Sequence, residues 1–230
     1  MANDTLFTLL QINDSMFPIG SFAHSYGLES YVNDGVVCDN DTAARYAELT
    51  LTHNLFYNDG AFLNKAYHYA RKKNAWKKLC ELDELATALK APSEIRNASQ
   101  KLALRFLKLT SELDEKPLCR KYLNAIEENA LTGHYSIALA LYAAKSGISR
   151  TNTLTAFYYN SINGIVTNCA KMVPISQTIA QKILYSLQET VADLVKKQDE
   201  MPDDKIGICC IGHEIKSMQH EKQYSRIYIS

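Results

Sequence analysis

The sequence has few of the residues that break helices. Its 230 residues include only nine glycines and five prolines, and no run of useful length alternates apolar and polar side chains as a strand would. The periodicity is helical nearly throughout. For example, Ile95, Ala98, Leu102, Phe106 and Leu109 form one apolar stripe. The pattern predicts an all-α single domain of about ten helices with a flexible C-terminal tail.

The predicted helices have recognisable boundaries. Pro92 ends one helix, and Ser93 stands where the next begins. We expect an all-helical domain over residues 1–200, followed by a polar linker and tail over residues 201–230 that a partner orders. No amphipathic pattern is recognised near the end of the chain. The helices are predicted near 4–13, 23–33, 41–57, 60–73, 75–89, 94–111, 119–129, 133–146, 151–171 and 176–199.

The sequence also lacks an excess of either charge and any long apolar run. Lys plus Arg number 25, as do Asp plus Glu, which argues against a general nucleic-acid binder. No apolar run approaches the roughly 20 residues that cross a membrane. The first residues lack the basic region of a signal peptide, and six scattered cysteines suit reduced thiols. We expect a cytoplasmic protein with neither nucleic-acid nor membrane partners.

Motifs for nucleotide binding and hydrolysis are missing as well. There is no Walker loop, no G-x-G-x-x-G and no G-x-S-x-G elbow. Cys209, Cys210 and His213 are close together, with Glu214 and His220 nearby. Adjacent cysteines do not readily chelate one ion, so we interpret these as ordinary loop residues and assign no metal site. A metal-dependent hydrolase that uses His24, Glu29 and the cysteines stays open as an alternative.

What the chain does contain is a distinctive segment at residues 14–31. Pro18 and Gly20 predict a turn, because proline fixes φ and glycine tolerates positive φ. Ser21 is placed to cap a helix that follows. The segment is crowded with reactive or recognition side chains: His24, Ser25, Tyr26 and Glu29.

The helix predicted over residues 151–171 is unusually polar. A glycine inside a helix costs roughly 1 kcal/mol relative to alanine, and buried amides need hydrogen-bond partners. Two explanations are open: close contact with another helix at Gly164, or a face that lines water or an interface. The unusual residues are Asn160, Asn163, Gly164, Thr167, Asn168 and Lys171.

Five segments, in order along nearly the whole chain, resemble the UreF family of urease accessory proteins. They read Ser-Met-Phe-Pro-Ile-Gly-Ser-Phe-Ala-His-Ser-Tyr-Gly-Leu-Glu at 15–29, Pro-Ser-Glu-Ile-Arg-Asn-Ala-Ser at 92–99, His-Tyr-Ser at 134–136, Lys-Met-Val-Pro-Ile-Ser-Gln at 171–177 and Met-Gln-His-Glu-Lys-Gln-Tyr-Ser-Arg-Ile-Tyr-Ile-Ser at 218–230. The chain departs from the family pattern at Ser21, where a glycine is usual, and at Gln219 and Ile229, where arginine is common.

The resemblance implies a helical cytosolic chaperone, not an enzyme. Such proteins are usually homodimers that join UreD (also called UreH), recruit the GTPase UreG and help to deliver nickel to apo-urease. The resemblance implies no tightly bound cofactor, with nickel only in transit. A stand-alone helical adaptor is the alternative without nickel.

The resemblance also suggests two sets of functional residues. We expect the tail to dock on the UreD-type partner through His220, Glu221, Gln223, Tyr224, Ser225 and Arg226. We expect a dimer interface or a nickel path to include His24, Tyr26, Glu29, Glu94, Arg96, Asn160, Gly164, Asn168, Lys171 and Gln177.

Overall fold

The computed structural model describes residues 2–21, 24–224 and 226–229. Within that part of the chain every regular element is a helix and there is no strand, so the predicted all-α single domain is confirmed. The elements are α1 (Ala2–Ile12), α2 (Leu28–Asn33), α3 (Asn40–Leu49), a π-helical turn (Thr50–Leu55), α4 (Asp59–Arg71), α5 (Trp76–Leu89), α6 (Ser93–Leu113), α7 (Pro117–Glu127), α8 (Tyr135–Lys145), α9 (Arg150–Met172), α10 (Gln177–Ser186), α11 (Gln188–Lys197), a 3₁₀ turn (Asp203–Lys205) and α12 (Ile211–His220).

Helix α8 forms the centre of the fold. Every residue from Ser136 to Ala143 is buried, which is typical of a helix that is apolar all round and lies inside a domain. Helices α4 and α6 pack along it, and α7 and α9 also contact it. Its small alanines let these neighbours approach closely, while Ile137 and Leu141 fill the space between them.

A buried histidine precedes α8. The side chain of His134 is fully buried, and its ring nitrogens lie 2.9 Å from Thr87 Oγ1 and 3.3 Å from Ser99 Oγ. Burial, with a smaller contribution from Lys90, lowers the pKa of His134 to about 3. The imidazole is therefore neutral near pH 7. Hydroxyl partners suit a neutral ring because a hydroxyl both donates and accepts hydrogen bonds.

Two predicted helices are interrupted. The helix predicted over 41–57 is wrong in its second half, where Phe56 N–H bonds to Leu51 O five residues earlier and makes a π-helical turn. The helix predicted over 176–199 divides at Leu187, whose N–H bonds to Leu184 O, three residues back. Both interruptions leave the apolar spacing nearly unchanged, so periodicity does not reveal them.

The helix predicted over residues 23–33 begins later than expected. Tyr26 (φ 52°) and Gly27 (φ 85°) are both left-handed, and two such residues in succession do not continue a right-handed helix. Helix α2 therefore starts at Leu28, and the prediction that Ser21 caps it is wrong. Phe22 and Ala23 lie outside the described residues.

The polar linker and tail contain more regular structure than expected. After the 3₁₀ turn, helix α12 packs against α2 and α6, so the interpretation that this region has no pattern with which to bury itself is wrong. Its buried face is polar rather than apolar, and a search for apolar periodicity passes over such a face. In the described part of the chain, no helix is both long and apolar enough to span a bilayer.

Candidate partner-binding site

The C-terminal segment, residues 206–229, meets two earlier parts of the chain at a pair of carboxylates. Glu29 lies in the first turn of α2, and Glu94 lies in the first turn of α6. His220 ends α12 between them, with Nε2 3.1 Å from Glu29 Oε2 and Nδ1 2.7 Å from Glu94 Oε2. The histidine side chain is fully buried. Three of the five segments that resemble the UreF family therefore converge on one contact.

The carboxylate pair, Glu29 and Glu94, accepts further hydrogen bonds from the chain after α12. Arg226 Nη1 donates to Glu94 Oε1 at 2.6 Å. The backbone N–H groups of Ile227 and Tyr228 donate to Glu29 at 2.7 and 3.2 Å. Each carboxylate oxygen thus has at least one donor, and the two negative charges face the guanidinium and the imidazole. Buried carboxylates require such compensation.

The turn before α2 makes room for α12. A Cβ built at Gly27 would lie 2.7 Å from Ser217 Oγ and 3.3 Å from Ser217 N. The left-handed φ of Gly27 and the close approach of α12 therefore both favour glycine at this position. Ser30 Oγ, one turn into α2, donates to Lys216 O at 2.9 Å. The opening segment and the end of the chain are thus fitted to each other.

Helix α12 is amphipathic, but its polar face is buried and its apolar face is exposed. Its buried residues are His213, Ser217 and His220, at spacings of four and three. Its apolar outer face consists of Ile211, Ile215 and Met218, which are 66%, 47% and 41% exposed. Burial lowers the pKa of His213 to about 4, so this histidine is neutral near pH 7. A soluble helix normally turns its apolar stripe inward.

In the chain after α12, polar side chains again bond to the domain and apolar side chains are again exposed. Gln223 Nε2 donates to Ser30 Oγ at 2.9 Å, and Ser93 Oγ donates to Glu221 Oε1 at 2.5 Å. Tyr224 is fully exposed, and Ile227 and Ile229 are largely exposed. Together with the outer face of α12, these side chains give the C-terminal segment an apolar outer surface.

The structure divides the predicted tail residues into two groups. His220, Glu221, Gln223 and Arg226 bond to side chains of their own domain, whereas Tyr224 projects into solvent. Ser225 lies outside the described residues. The polar residues of the tail therefore position it on α2 and α6, and the surface it presents is largely apolar.

Of the second predicted set, Asn160, Gly164 and Asn168 lie on one face of α9 at spacings of four residues, but their contacts and exposure differ. Asn160 Nδ2 donates to Asn13 Oδ1 at 2.7 Å, and Asn168 Nδ2 donates to His24 O at 3.0 Å. Gly164 is exposed, and a Cβ built there would meet no heavy atom within 4 Å. No other helix of the described chain therefore contacts Gly164. Lys171 and Gln177 are also exposed.

The other predicted residues of this set have local roles. Arg96 Nη1 donates to Lys90 O at 2.7 Å, at the bend before α6. His24 is buried with its ring 5.8 Å from that of Tyr26, and its pKa is lowered, chiefly by burial. Burial raises the pKa of the Tyr26 phenol. The hydrogen bond from Asn168 to His24 O attaches the opening turn to α9.

The cysteines near α12 do not form a metal centre with their neighbours. No cluster of three or more His, Cys, Asp or Glu side chains suited to hold a metal ion occurs in the described residues. Burial of the thiol and its contact with Glu214 raise the pKa of Cys209 to about 11, although the residue as a whole is exposed. A neutral thiol is a poor metal ligand.

Sequence reasoning named Glu29, Glu94, His220 and Arg226 but missed that they form one site. It also missed His213 and Ser217. A signal was available in the sequence. Positions 211, 215 and 218 have the same spacing as positions 213, 217 and 220, and the two sets lie on opposite faces of one short helix. Apolar residues set the first face and polar residues the second, and only tertiary contacts show which face is buried.

Comparison with known proteins identifies the family. The sequence model of the UreF family matches residues 37–188. The chain is 37% identical over 225 residues to the urease accessory protein UreF of Haemophilus influenzae, a match that covers 98% of this chain and 95% of the relative. It is 37% identical to the UreF of Actinobacillus pleuropneumoniae and 31% identical to that of a Bacillus species, each over 98% of this chain and 99% of the relative.

The matches to these relatives extend over nearly the full length of the chain and of each relative, whereas the family model stops short of Glu29 and of the C-terminal segment. The relatives are urease accessory proteins and not enzymes. On these grounds the chain belongs to the UreF family of urease accessory proteins.

Proposed function

We propose that this chain is an adaptor in urease maturation that binds a UreD/UreH-type accessory protein through the apolar outer surface of its C-terminal segment. The observation that carries the proposal is the reversed helix α12, which buries His213, Ser217 and His220 and exposes Ile211, Ile215 and Met218. In this function the chain also recruits a UreG-type GTPase and assists nickel delivery to apo-urease in the cytoplasm.

The energetics of α12 favour a partner on its outer face. Fully burying an isoleucine or methionine side chain contributes about 1.5–3 kcal/mol, and in the chain alone only part of this gain is realised for Ile211, Ile215 and Met218. Tyr224 and Ile227 extend the exposed apolar area beyond the helix. Contiguous apolar patches on a soluble protein mark interaction sites.

The polar tail residues then act as positioning residues instead of direct contacts. His220, Gln223 and Arg226 fix the segment on α2 and α6, so the apolar side chains are held in place before the partner arrives. Preorganisation of this kind reduces the entropy lost on binding. The proposal therefore assigns the polar and apolar residues of the tail different tasks.

Nickel in this proposal is cargo, and the chain holds no resident cofactor. The side-chain amides of Asn160 and Asn168 and the oxygens of the carboxylate pair already take part in hydrogen bonds. We therefore assign this chain the task of assembling the delivery complex and place no nickel ligand on it.

The outward face of α9 is the proposed seam of a homodimer. Gly164 is exposed in the middle of a 23-residue helix, where it costs roughly 1 kcal/mol relative to alanine, and no atom of the described residues lies within 4 Å of a Cβ built there. Close approach by a second copy accounts for a glycine there. A Gly164→Leu variant should sediment as a monomer, and an unchanged dimer would refute this seam.

Co-purification with a UreD/UreH-type protein tests the main proposal. A double variant, Ile215→Asp with Met218→Asp, should lower affinity for that partner more than tenfold, because two apolar contacts become charged. The matched control is Leu85→Asp, which changes a similarly exposed leucine on α5 and should bind normally. Undiminished binding by the double variant would reject the outer face as the site, and failure of the unaltered chain to bind would favour a stand-alone adaptor.

A further inference from the structure

The contacts of His220 define its protonation state. Both ring nitrogens lie within hydrogen-bond distance of carboxylate oxygens, on Glu94 and on Glu29. An ionised carboxylate only accepts hydrogen bonds, and a neutral imidazole carries a proton on only one nitrogen. A neutral ring would therefore direct a lone pair at one of the two carboxylates in a buried site. An imidazolium ring donates to both.

We propose that docking of the C-terminal segment on α2 and α6 is a proton-dependent switch, in which the segment is held when His220 carries a positive charge and released when it loses that proton. The inference concerns this chain alone and does not depend on the identity of any partner. It goes beyond adaptor function, because it makes the presentation of the apolar outer surface responsive to pH.

The charged groups around the ring support this assignment. Glu29 faces it from α2, Glu94 faces it from α6, and Arg226 completes the site from the tail. The charges of two carboxylates, one imidazolium and one guanidinium sum to zero. With a neutral histidine the buried site would carry a net negative charge, which is costly out of water.

The other titratable groups near the site do not replace His220 in this role. Burial raises the pKa of the Tyr228 phenol, so it stays neutral, and His213 on the same helix is neutral near pH 7. Lys216 is paired with Asp34 at the surface. The groups that change charge between about pH 5 and 8 in proteins are chiefly histidines, and within this site His220 is the histidine that contacts the carboxylates.

The sign of the pH dependence follows from proton counting. The docked segment holds one proton that a released, neutral His220 does not hold. Above about pH 6.5 docking therefore weakens as pH rises, with a limiting slope of tenfold in the docking equilibrium per pH unit for one proton. His213 has the opposite effect below about pH 6.5, because it is neutral and buried when docked and takes up a proton only on release.

Two conservative substitutions separate this switch from ordinary packing. In Glu94→Gln, the amide oxygen still accepts from Arg226 while the amide N–H donates to Nδ1 of a neutral His220, whose Nε2–H donates to Glu29. This variant should dock at high pH without the loss seen in the unaltered chain. In Glu29→Gln, one carboxylate oxygen becomes an amide NH₂ group, which cannot accept the hydrogen bond from Ile227 N–H or Tyr228 N–H. Docking should therefore fail at every pH.

The experiment combines histidine ¹⁵N NMR with amide hydrogen exchange on the full chain between pH 6 and 9. We expect both His220 nitrogens to be protonated while α12 is protected. As the pH rises and His220 loses its proton, the protection factors of α12, corrected for intrinsic exchange, should fall by up to tenfold per pH unit. The Glu94→Gln chain should show constant protection. A neutral His220 signal with α12 still protected would overturn the switch, as would pH-independent protection in the unaltered chain or an unprotected α12 throughout.

Discussion

Two histidines of this protein are equally buried and have opposite charge requirements. His134, before the central helix, contacts the hydroxyls of Thr87 and Ser99, whereas His220, at the end of α12, contacts the carboxylates of Glu29 and Glu94. A hydroxyl adapts as donor or acceptor, so it satisfies a neutral ring. A carboxylate only accepts, so two of them require an imidazolium. Burial alone therefore does not decide the charge of a histidine; its partners do.

The two regions also differ in what holds them together. The core around α8 is apolar and continuous, so its stability comes mainly from removing hydrocarbon from water. The C-terminal segment is attached by a polar inner face and leaves its apolar side chains outside. An attachment based on charge and hydrogen bonds is sensitive to pH, and it is a suitable design for a surface that must be presented to a partner.

The largest effect should come from truncating the core. Ile137 is completely buried in α8, so Ile137→Ala removes apolar contacts and leaves a cavity, at a cost of about 2–5 kcal/mol in the free energy of unfolding. Urea unfolding followed by circular dichroism measures this. The same measurement on Ile215→Ala, on the outer face of α12, should change by less than about 0.5 kcal/mol. Equal losses would contradict the contrast between the two regions.

A smaller effect should appear when the pH is lowered. Burial holds the pKa of His134 at about 3 in the folded protein, while an unfolded histidine titrates near about 6.5. Below that value the unfolded chain takes up a proton that the folded chain does not, so stability falls with pH. At pH 5 His134 alone contributes about 2 kcal/mol to this loss relative to pH 7, and His213 adds to it in the same direction. Urea unfolding at both pH values should show this loss for the unaltered chain.

The matched variant for this prediction is His134→Gln, which keeps polar groups near Thr87 and Ser99 without a titrating ring. It should reduce the difference between pH 7 and pH 5 by most of that amount. A difference that stays the same in His134→Gln would mean that other buried groups cause the acid sensitivity. The direction is opposite to that proposed for docking at His220 above about pH 6.5, where lower pH strengthens attachment.

The smallest effect should be confined to α12. Gly27→Ala places a methyl group against Ser217 and forces a left-handed backbone on alanine, so protection of α12 from hydrogen exchange should fall by about 1–2 kcal/mol. Gly35→Ala is the control, because Gly35 is also left-handed (φ 70°) but has nothing within 4 Å of its Cβ. It should leave α12 unaffected. Similar losses of α12 protection in both variants would show that the contact with Ser217 is unimportant.

Local pattern explains which parts of the fold were predictable. The start of α6 at Ser93 follows from Pro92, and the apolar stripe of α6 identifies its buried face. The interruption at Leu187 was not predictable, because one changed hydrogen bond leaves the apolar spacing intact. Helix α12 was not predicted for a different reason: its inward face is polar, and hydrophobic burial is the signal on which such predictions depend.

The sequence by itself determined that this protein is helical and, through five ordered segments, to which family it belongs. Only the tertiary structure decided what those segments do together. His220 lies 191 positions from Glu29 and 126 from Glu94, and no periodicity or local propensity connects residues at such separations. The charge of His220 and the outward orientation of the apolar face of α12 follow from these contacts, because a side chain's electrostatic environment is set by its neighbours in space.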